Sequence, residues 1–571
     1  MTSASYDTKI DDTKRRKHGA FYTPLVWAKK ADEIMKQVIA PDYKDKFVIW
    51  DPACGTKNLT RLFNYKKLYS STIFNRELEL SQDYNTNSTA FQYDFLSDDF
   101  NLNRDSSNFK MPTSLFKNLR DDKPIIFYMN PPYGTTGKLA KDGTAKKIDI
   151  SKTNLFMKAN NYGNASQQLY AQFVTRVIKL ADDFNLTNVY LAMFSGIRYL
   201  AGGNYWLKFD QHFFKHFTYK YGMIFNAGEF SGTSSMWPIG FTIYKLNKNE
   251  NNIPKEFELS IMTRTDSSIN NVDTKMVNLV EKDSLSSWLR NPAITGTPMP
   301  DGSYPKLTSA MKESKRNNSR CTFYEGSMGC LMNSANNVAE GTTNGGVWLA
   351  TSGIYHDHGV NVFDKNFDKV VADFAIRRSI APTWVNAQDN FTKPNTNSPI
   401  YSSFIGDATV FSLFDSASNQ ASYRNWNGYT NCNKPGRWIN QWFFIDQGKI
   451  ETEAMRKRQN DVAYDAYGDK NRYVYLKLQN MTLSKEAQNV LDLATKLYFK
   501  QLKYRKKAIL KYPDMSLNAW DIGWYQMKLI DRAFPSKVMQ ELKSAIIILK
   551  EKIAREYVQD LIKKVRGIKA K

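Results

Sequence analysis

From residue 19 to about 247, short apolar runs alternate with longer amphipathic stretches, and no other feature of the chain narrows its possible folds so far. This alternation is the pattern of a mainly parallel α/β sheet whose crossovers are helices. Strands are predicted in KFVIW, LYSSTIF, AFQYDF, IIFYMN and NVYLAMF. Helices are predicted in PLVWAKKADEIMKQVI, where Val26, Ala31, Ile34 and Val38 recur near helical spacing. SQQLYAQFVTRVIKLADDF is a second helix, with Leu169, Phe173, Val177 and Leu180 on one face. FTYKYGMIF and WPIGFTIYKL then predict a hairpin that closes the sheet.

After the polar stretch NKNENNIPKE the rhythm breaks. The expected organisation is a flexible amino terminus over 1–18, an α/β catalytic domain over 19–247, a linker over 248–255, a mixed and loop-bearing region over 256–450, and a basic helical region over 451–571. A chain of 571 residues is long enough for two or three such cores.

Open α/β sheets bind ligands outside the carboxyl ends of their strands, so the strand ends carry the functional reading. The first strand runs into WDPACGTKNLTRLF, which places Asp51, Gly55 and Asn58 at that edge. A turn of small residues lets backbone approach a ligand, and a carboxylate holds an ammonium or hydroxyl group. After the second strand, NRELEL offers Glu77 or Glu79 where such folds place an acid on ribose hydroxyls. The third ends at FQYDFL, with Asp94 as an acceptor and Phe95 as its apolar neighbour. Taken singly, each also fits a structural turn or a solvated acid.

The fourth strand stops at NPPY. Asn130 supplies a side-chain carbonyl and Pro131 a backbone carbonyl, two acceptors able to hold both hydrogens of one planar amino group, while Tyr133 supplies a ring face. A nucleobase amino nitrogen is a poor nucleophile because its lone pair is delocalised into the ring. Two well-aimed acceptors draw it toward tetrahedral geometry and free that pair. Pro131 and Pro132 keep the turn stiff, so the acceptors are preorganised.

GAFYTP, DPACGT, QYDF and NPPYG, in this order and ahead of a basic carboxyl-terminal half, resemble the amino-methyltransferases of DNA. The order is similar to that of their gamma class, the restriction-modification N6-adenine group. The resemblance covers roughly 19–247, and the combination is far more specific than any one piece. It implies a Rossmann-like class I methyltransferase sheet with helices on both faces, followed by a mixed target-recognition domain and a helical tail. The implied cofactor is S-adenosylmethionine, with Phe21, Tyr22, Thr23 and Pro24 near its methionine part and Asp51, Ala53 and Gly55 lining the loop beneath it. Glu77 or Glu79 would take the ribose, and Asp94 with Phe95 the adenine. The tetrad Asn130, Pro131, Pro132 and Tyr133 would be catalytic, with Tyr133 and either Phe225 or Phe230 sandwiching a base flipped out of the duplex. The chain departs from the pattern at Lys57, where the family usually has a second glycine.

Lys and Arg outnumber Asp and Glu by 79 to 56, a formal charge of +23 that favours a polyanionic partner, here double-stranded DNA. Basic and aromatic stretches after residue 300 nominate Lys315, Arg316, Arg320, Arg377, Arg378, Arg424 and Arg437 as DNA contacts. A cognate restriction endonuclease is a further partner where such a system is complete, and a monomer is expected. Four scattered cysteines form no disulfide framework or zinc knuckle, and His356 with His358 lacks a third ligand, so no metal is expected. No run approaches a membrane span and no leader is evident, which predicts a cytoplasmic protein. The competing readings are methylation of an RNA base or a protein glutamine, which NPPY also serves, and a DNA-binding module with a degenerate methyltransferase fold.

Overall fold

The computed structural model describes residues 22–558 other than 104–105, 136–149, 231–232, 234, 248–253, 267, 280–283, 295–323, 334–336, 339–345, 352–358, 427–435, 457–469 and 516. The chain divides into two compact units, one of residues 1–282, 383–390 and 566–571, the other of residues 283–382 and 391–565.

The first unit is built on a nine-stranded sheet: β1 (Val48–Asp51), β2 (Leu68–Thr72), β3 (Thr89–Gln92), β4 (Ile125–Met129), β5 (Val189–Gly196), β6 (Phe217–Asn226), β7 (Pro238–Leu246), β8 (Glu256–Arg264) and β9 (Ile269–Asn278). Their spatial order is β3-β2-β1-β4-β5-β7-β6-β8-β9. The first five strands are parallel, and β7 inserts antiparallel between β5 and β6. Strands β1, β2, β4 and β5 are buried almost along their whole length because both faces are covered. Along β4, Ile125, Phe127 and Met129 enter one core, and Ile126 and Tyr128 the other. On the first face lies a helix over Leu169–Asp183, which buries Phe173, Val174, Val177 and Leu180. On the second, helix α1 (Leu25–Val38) buries Trp27, Ala31, Ile34 and Met35. Asp32, on the buried side of α1, is held as an ion by Lys44 Nζ at 2.7 Å, Lys36 Nζ at 2.8 Å and the Tyr43 hydroxyl at 2.6 Å.

The sheet does not end at Leu246. Strands β8 and β9, on residues assigned by sequence to a recognition region, add to it beside β6. The catalytic boundary expected at 247 therefore moves to about 282. Segment 383–390 is also part of this unit. Gln388 Oε1 accepts the Ile197 N–H at 3.0 Å, Asn390 Nδ2 donates to the carbonyls of Ala201 and Gly202, and Lys275 Nζ donates to Asp389 Oδ1 at 2.6 Å.

The second unit holds a four-stranded sheet of β10 (Cys330–Asn333), β11 (Val347–Ala350), β12 (Gly359–Asn361) and β13 (Ser418–Asn419), and a ribbon of β14 (Tyr423–Trp426) with β15 (Gly436–Trp438). One apolar core runs from Leu285 to Val558, so the regions expected as separate over 256–450 and 451–571 share it. Within it Arg377 is fully buried and bonded through Nε to both carboxylate oxygens of Asp373 one turn earlier, at 3.1 and 3.0 Å. A burial of this kind takes Arg377 out of reach of DNA. Arg378 is turned onto Asp415 at 2.8 Å and Ser416 Oγ at 3.0 Å. Arg424 and Arg437 face each other as Cα partners in the β14–β15 ribbon. Lys315, Arg316, Arg320, His356 and His358 lie outside the described residues.

Candidate active site

A cavity of about 470 Å³ opens at the carboxyl ends of β1 to β4, where the strand order reverses between β1 and β4. Its wall is built from four strand ends: Pro52 to Gly55 after β1, Thr72 to Glu77 at the end of β2, Tyr93 to Ser97 after β3, and Asn130 with Pro132 after β4. Tyr22 and Thr23, just before α1, also line it, as do Asn58, Leu59, Ile150, Ser151, Leu169 and Phe173. Residues separated by more than a hundred positions are thus gathered at one opening.

The polar atoms are tied in sequence. Asn130 Nδ2 donates to Thr23 Oγ1 at 2.9 Å, and Asn58 Nδ2 donates to the Thr23 carbonyl at 3.1 Å. This network leaves Oδ1 as the acceptor end of the Asn130 amide, and there it receives the Tyr133 hydroxyl at 2.8 Å. Glu77 takes the Tyr22 hydroxyl on one carboxylate oxygen at 2.9 Å and Thr72 Oγ1 on the other at 2.5 Å. Asp94 Oδ1 accepts the Leu96 N–H at 3.0 Å, an Asx-type turn that aims the loop after β3. Phe95 is nearly buried, edge-on to Trp50 and stacked on Phe173, and lines the cavity.

Several expected positions are corrected. Glu79 is exposed and bonded to Asn75 Nδ2, so of the two acids only Glu77 reaches the cavity. Asp51 lies beneath the loop rather than on the wall: its Oδ1 accepts the Ala53 N–H at 3.2 Å, its Oδ2 is buried without a partner, and burial pushes its carboxyl up to about 8. Pro24 caps α1 in extended geometry and does not line the cavity, and Phe21 lies outside the described residues. Phe225 and Phe230 are fully buried, Phe225 stacked on Trp27 at 3.8 Å, so neither offers a free face. Half-buried Trp237, just before β7, stands edge-on to Tyr133 with ring centroids 6.1 Å apart. Sequence reading also missed Ile73 and Phe74. It placed them inside a strand, whereas β2 ends at Thr72 and both protrude at the rim, 51% and 43% exposed.

Gly55 has φ +48, and a Cβ there would lie 2.9 Å from the Tyr22 ring. Lys57 also has a positive φ, 59°, yet is a lysine; its side chain runs away from the cavity to the carbonyls of Ser81 and Tyr84. Cys54 lines the cavity with its thiol pushed up by burial, which keeps it protonated and unreactive near neutrality. Among the described residues no group of three or more His, Cys, Asp or Glu could hold a metal ion, and no helix is long and apolar enough to cross a membrane.

No protein-family model matches the chain, and no curated protein does. Among solved structures it is similar to the DrdV-DNA complex, at 13% identity and a TM-score of 0.33 over 45% of this chain and 29% of that one. It is also similar to a modification subunit of a putative type I restriction enzyme from Vibrio vulnificus, at 13% identity and a TM-score of 0.29 over 47% and 52% of the two chains. A third likeness is to a putative class I S-adenosylmethionine-dependent methyltransferase from Listeria monocytogenes, at 16% identity and a TM-score of 0.27 over 42% and 65%. The aligned part is thus less than two thirds of each of those chains. At such identities and scores the likeness assigns no function, which rests on the site itself.

Proposed function

We propose that this chain is a DNA methyltransferase that moves the methyl group of S-adenosylmethionine to the N6 amino group of a flipped-out adenine. The observation that carries the reading is the convergence of Asn130 and Pro132 with Tyr22, Gly55, Glu77 and Asp94 on one cavity at the sheet's switch point. The strand order, with five parallel strands and an antiparallel β7 between β5 and β6, supports a Rossmann-like methyltransferase sheet.

The residues present suit the cofactor. Glu77 offers two carboxylate oxygens at the cavity edge for ribose hydroxyls, Asp94 an acceptor for an amino group, and Gly55 a backbone with no side chain to fill the space. Phe95, Ile73 and Phe74 supply apolar surface for a planar ring. When bound, the cofactor supplies an electrophilic methyl group.

The chain's own residues do the rest. Asn130 Oδ1 and the Pro131 carbonyl accept the two hydrogens of the target amine and localise its lone pair. Thr23 fixes the amide orientation by accepting from Nδ2, so the acceptor end need not be selected during the reaction. Tyr133 and Trp237 provide ring surfaces for the extruded base, offsetting an extrusion cost on the order of a few kcal/mol. The transfer requires no covalent enzyme intermediate. The charge of +23 favours a nucleic-acid substrate over a neutral amide.

The test is expression in a host without adenine methylation, followed by modification-sensitive sequencing of its DNA. One methylated motif, lost with Asn130→Ala, is expected; folded protein that leaves no N6-methyladenine would sink the proposal.

A further inference from the structure

The short helix α2 (Asn75–Leu80) carries Glu77 in its first turn, yet none of its six residues is buried. Six residues are too few for a helix to persist in water by propensity alone. Half-buried Glu77, Leu78 and Leu80 give it only partial packing, so something more holds it.

Its two ends show what does. At the amino end, Glu77 is clasped by the hydroxyls of Tyr22 and Thr72. At the carboxyl end, where helix carbonyls are left without intrahelical partners and the dipole is negative, an ammonium is favoured. Lys57 supplies it from the cofactor loop: Nζ donates to the carbonyl of the C-cap residue Ser81 at 3.2 Å and to that of Tyr84 at 2.9 Å. Ser81 is fully buried, and its hydroxyl in turn donates to the Glu77 carbonyl at 2.8 Å. Arg61 adds a second tie, its guanidinium 5.1 Å from the Tyr84 ring centroid.

Reaching these carbonyls has a cost. Lys57 is 2% exposed and sits at φ 59, a left-handed conformation that glycine adopts freely and a side chain disfavours. Its N–H donates to the Cys54 carbonyl at 2.7 Å, and its carbonyl accepts from Arg61 at 2.9 Å, so the backbone is fixed in the turn. A strained, buried lysine with both ends engaged is a built feature.

We propose that Lys57 is a positioning residue that staples the loop after β1 to the helix after β2, so that the two cofactor-facing elements, Gly55 and Glu77, are held in register before the cofactor arrives. The inference rests on the cofactor reading above, and concerns binding rather than chemistry.

Three variants separate the staple from backbone strain: Lys57→Gly relieves the strain and removes the staple, Lys57→Met keeps the strain and removes the staple, and Lys57→Arg keeps a donor. S-adenosylmethionine affinity is measured by calorimetry, kcat at saturating cofactor by DNA methylation, and amide hydrogen exchange over 75–85 on the cofactor-free protein. Glycine and methionine are each expected to weaken affinity about tenfold or more, with kcat changed less than about twofold, faster exchange over 75–85, and partial recovery with arginine. Because glycine removes strain, the Lys57→Gly protein folds even where the methionine variant does not. Wild-type protein that binds the cofactor while Lys57→Gly binds it as tightly, or exchanges over 75–85 at the wild-type rate, overturns the staple alone. Wild-type protein that binds no cofactor overturns the proposed function and the staple with it.

Discussion

The hydroxyl of Tyr133 donates to Asn130 Oδ1 across 2.8 Å, so the acceptor assigned to the target amine already holds a hydrogen from its own neighbour. The amine of an entering base must compete with that bond or take the oxygen's second lone pair. Tyr133→Phe removes the competitor and keeps the ring, and the expected result is methylation at the wild-type rate or faster, with a lower KM for DNA. Tyr133→Ala removes the stacking surface, worth roughly 1–3 kcal/mol, and should slow methylation about five- to 150-fold while S-adenosylmethionine affinity stays constant. A phenylalanine variant as slow as alanine would show that the hydroxyl itself is needed.

Trp237 and Phe225 are two aromatics of one hairpin with different expected roles. Trp237→Ala should slow methylation about tenfold, in line with the loss of one stacking contact, and leave thermal stability nearly unchanged. Phe225→Ala opens a cavity against Trp27 and should cost about 3–5 kcal/mol of stability. Comparing single-turnover rates with melting temperatures distinguishes the two; a Phe225 variant that melts normally but fails to methylate would return it to the base-binding role.

Asp51 links stability to pH. The folded protein keeps its proton to about pH 8, whereas the unfolded chain releases it near the ordinary value of 3.8. Between those values the unfolded state binds fewer protons, so this contribution is fully present below about pH 4 and is lost as pH rises through about 8. Asp51→Asn retains an acceptor for the Ala53 N–H and removes the titration. Melting curves at pH 5 and pH 8 should show a smaller decline for the variant than for wild type, and parallel declines would refute the assignment.

Arg377 is a structural cation. Replacing it with methionine removes a buried partner of the Asp373 carboxylate and should cost about 3–5 kcal/mol. The measurement is chemical denaturation beside a DNA-binding titration under conditions where the variant is folded. A large loss of DNA affinity with unchanged stability would restore Arg377 to the interface.

Strands β1, β4 and β5, the flanking helices and the hairpin were legible because each buries an apolar run, whereas β3 is largely exposed. The strand-end segments were legible because each follows its apolar run directly, and the structure brings Tyr22, Gly55, Glu77, Asp94 and Asn130 to one cavity. What escaped was polar. In β9 only Lys275 and Val277 are buried, so this edge strand carries almost no apolar signal. Gln388 and Asn390 carry no apolar signal, yet they satisfy backbone atoms of residues 197–202, far away in the chain. Arg377 reads as a DNA contact until its i,i+4 spacing from Asp373 is combined with burial, which sequence does not report. Lys57 stood out as a departure, but the carbonyls it reaches lie 24 and 27 positions away.

The placement of 383–390 within the first unit also sets an order of events during synthesis. The Ile197 amide and the Lys275 ammonium find Gln388 and Asp389 only after residues 283–382, which belong to the other unit, have left the ribosome. A fragment ending at 282 would carry both groups without these partners, and the last step in completing the first unit is a long-range closure made late in translation.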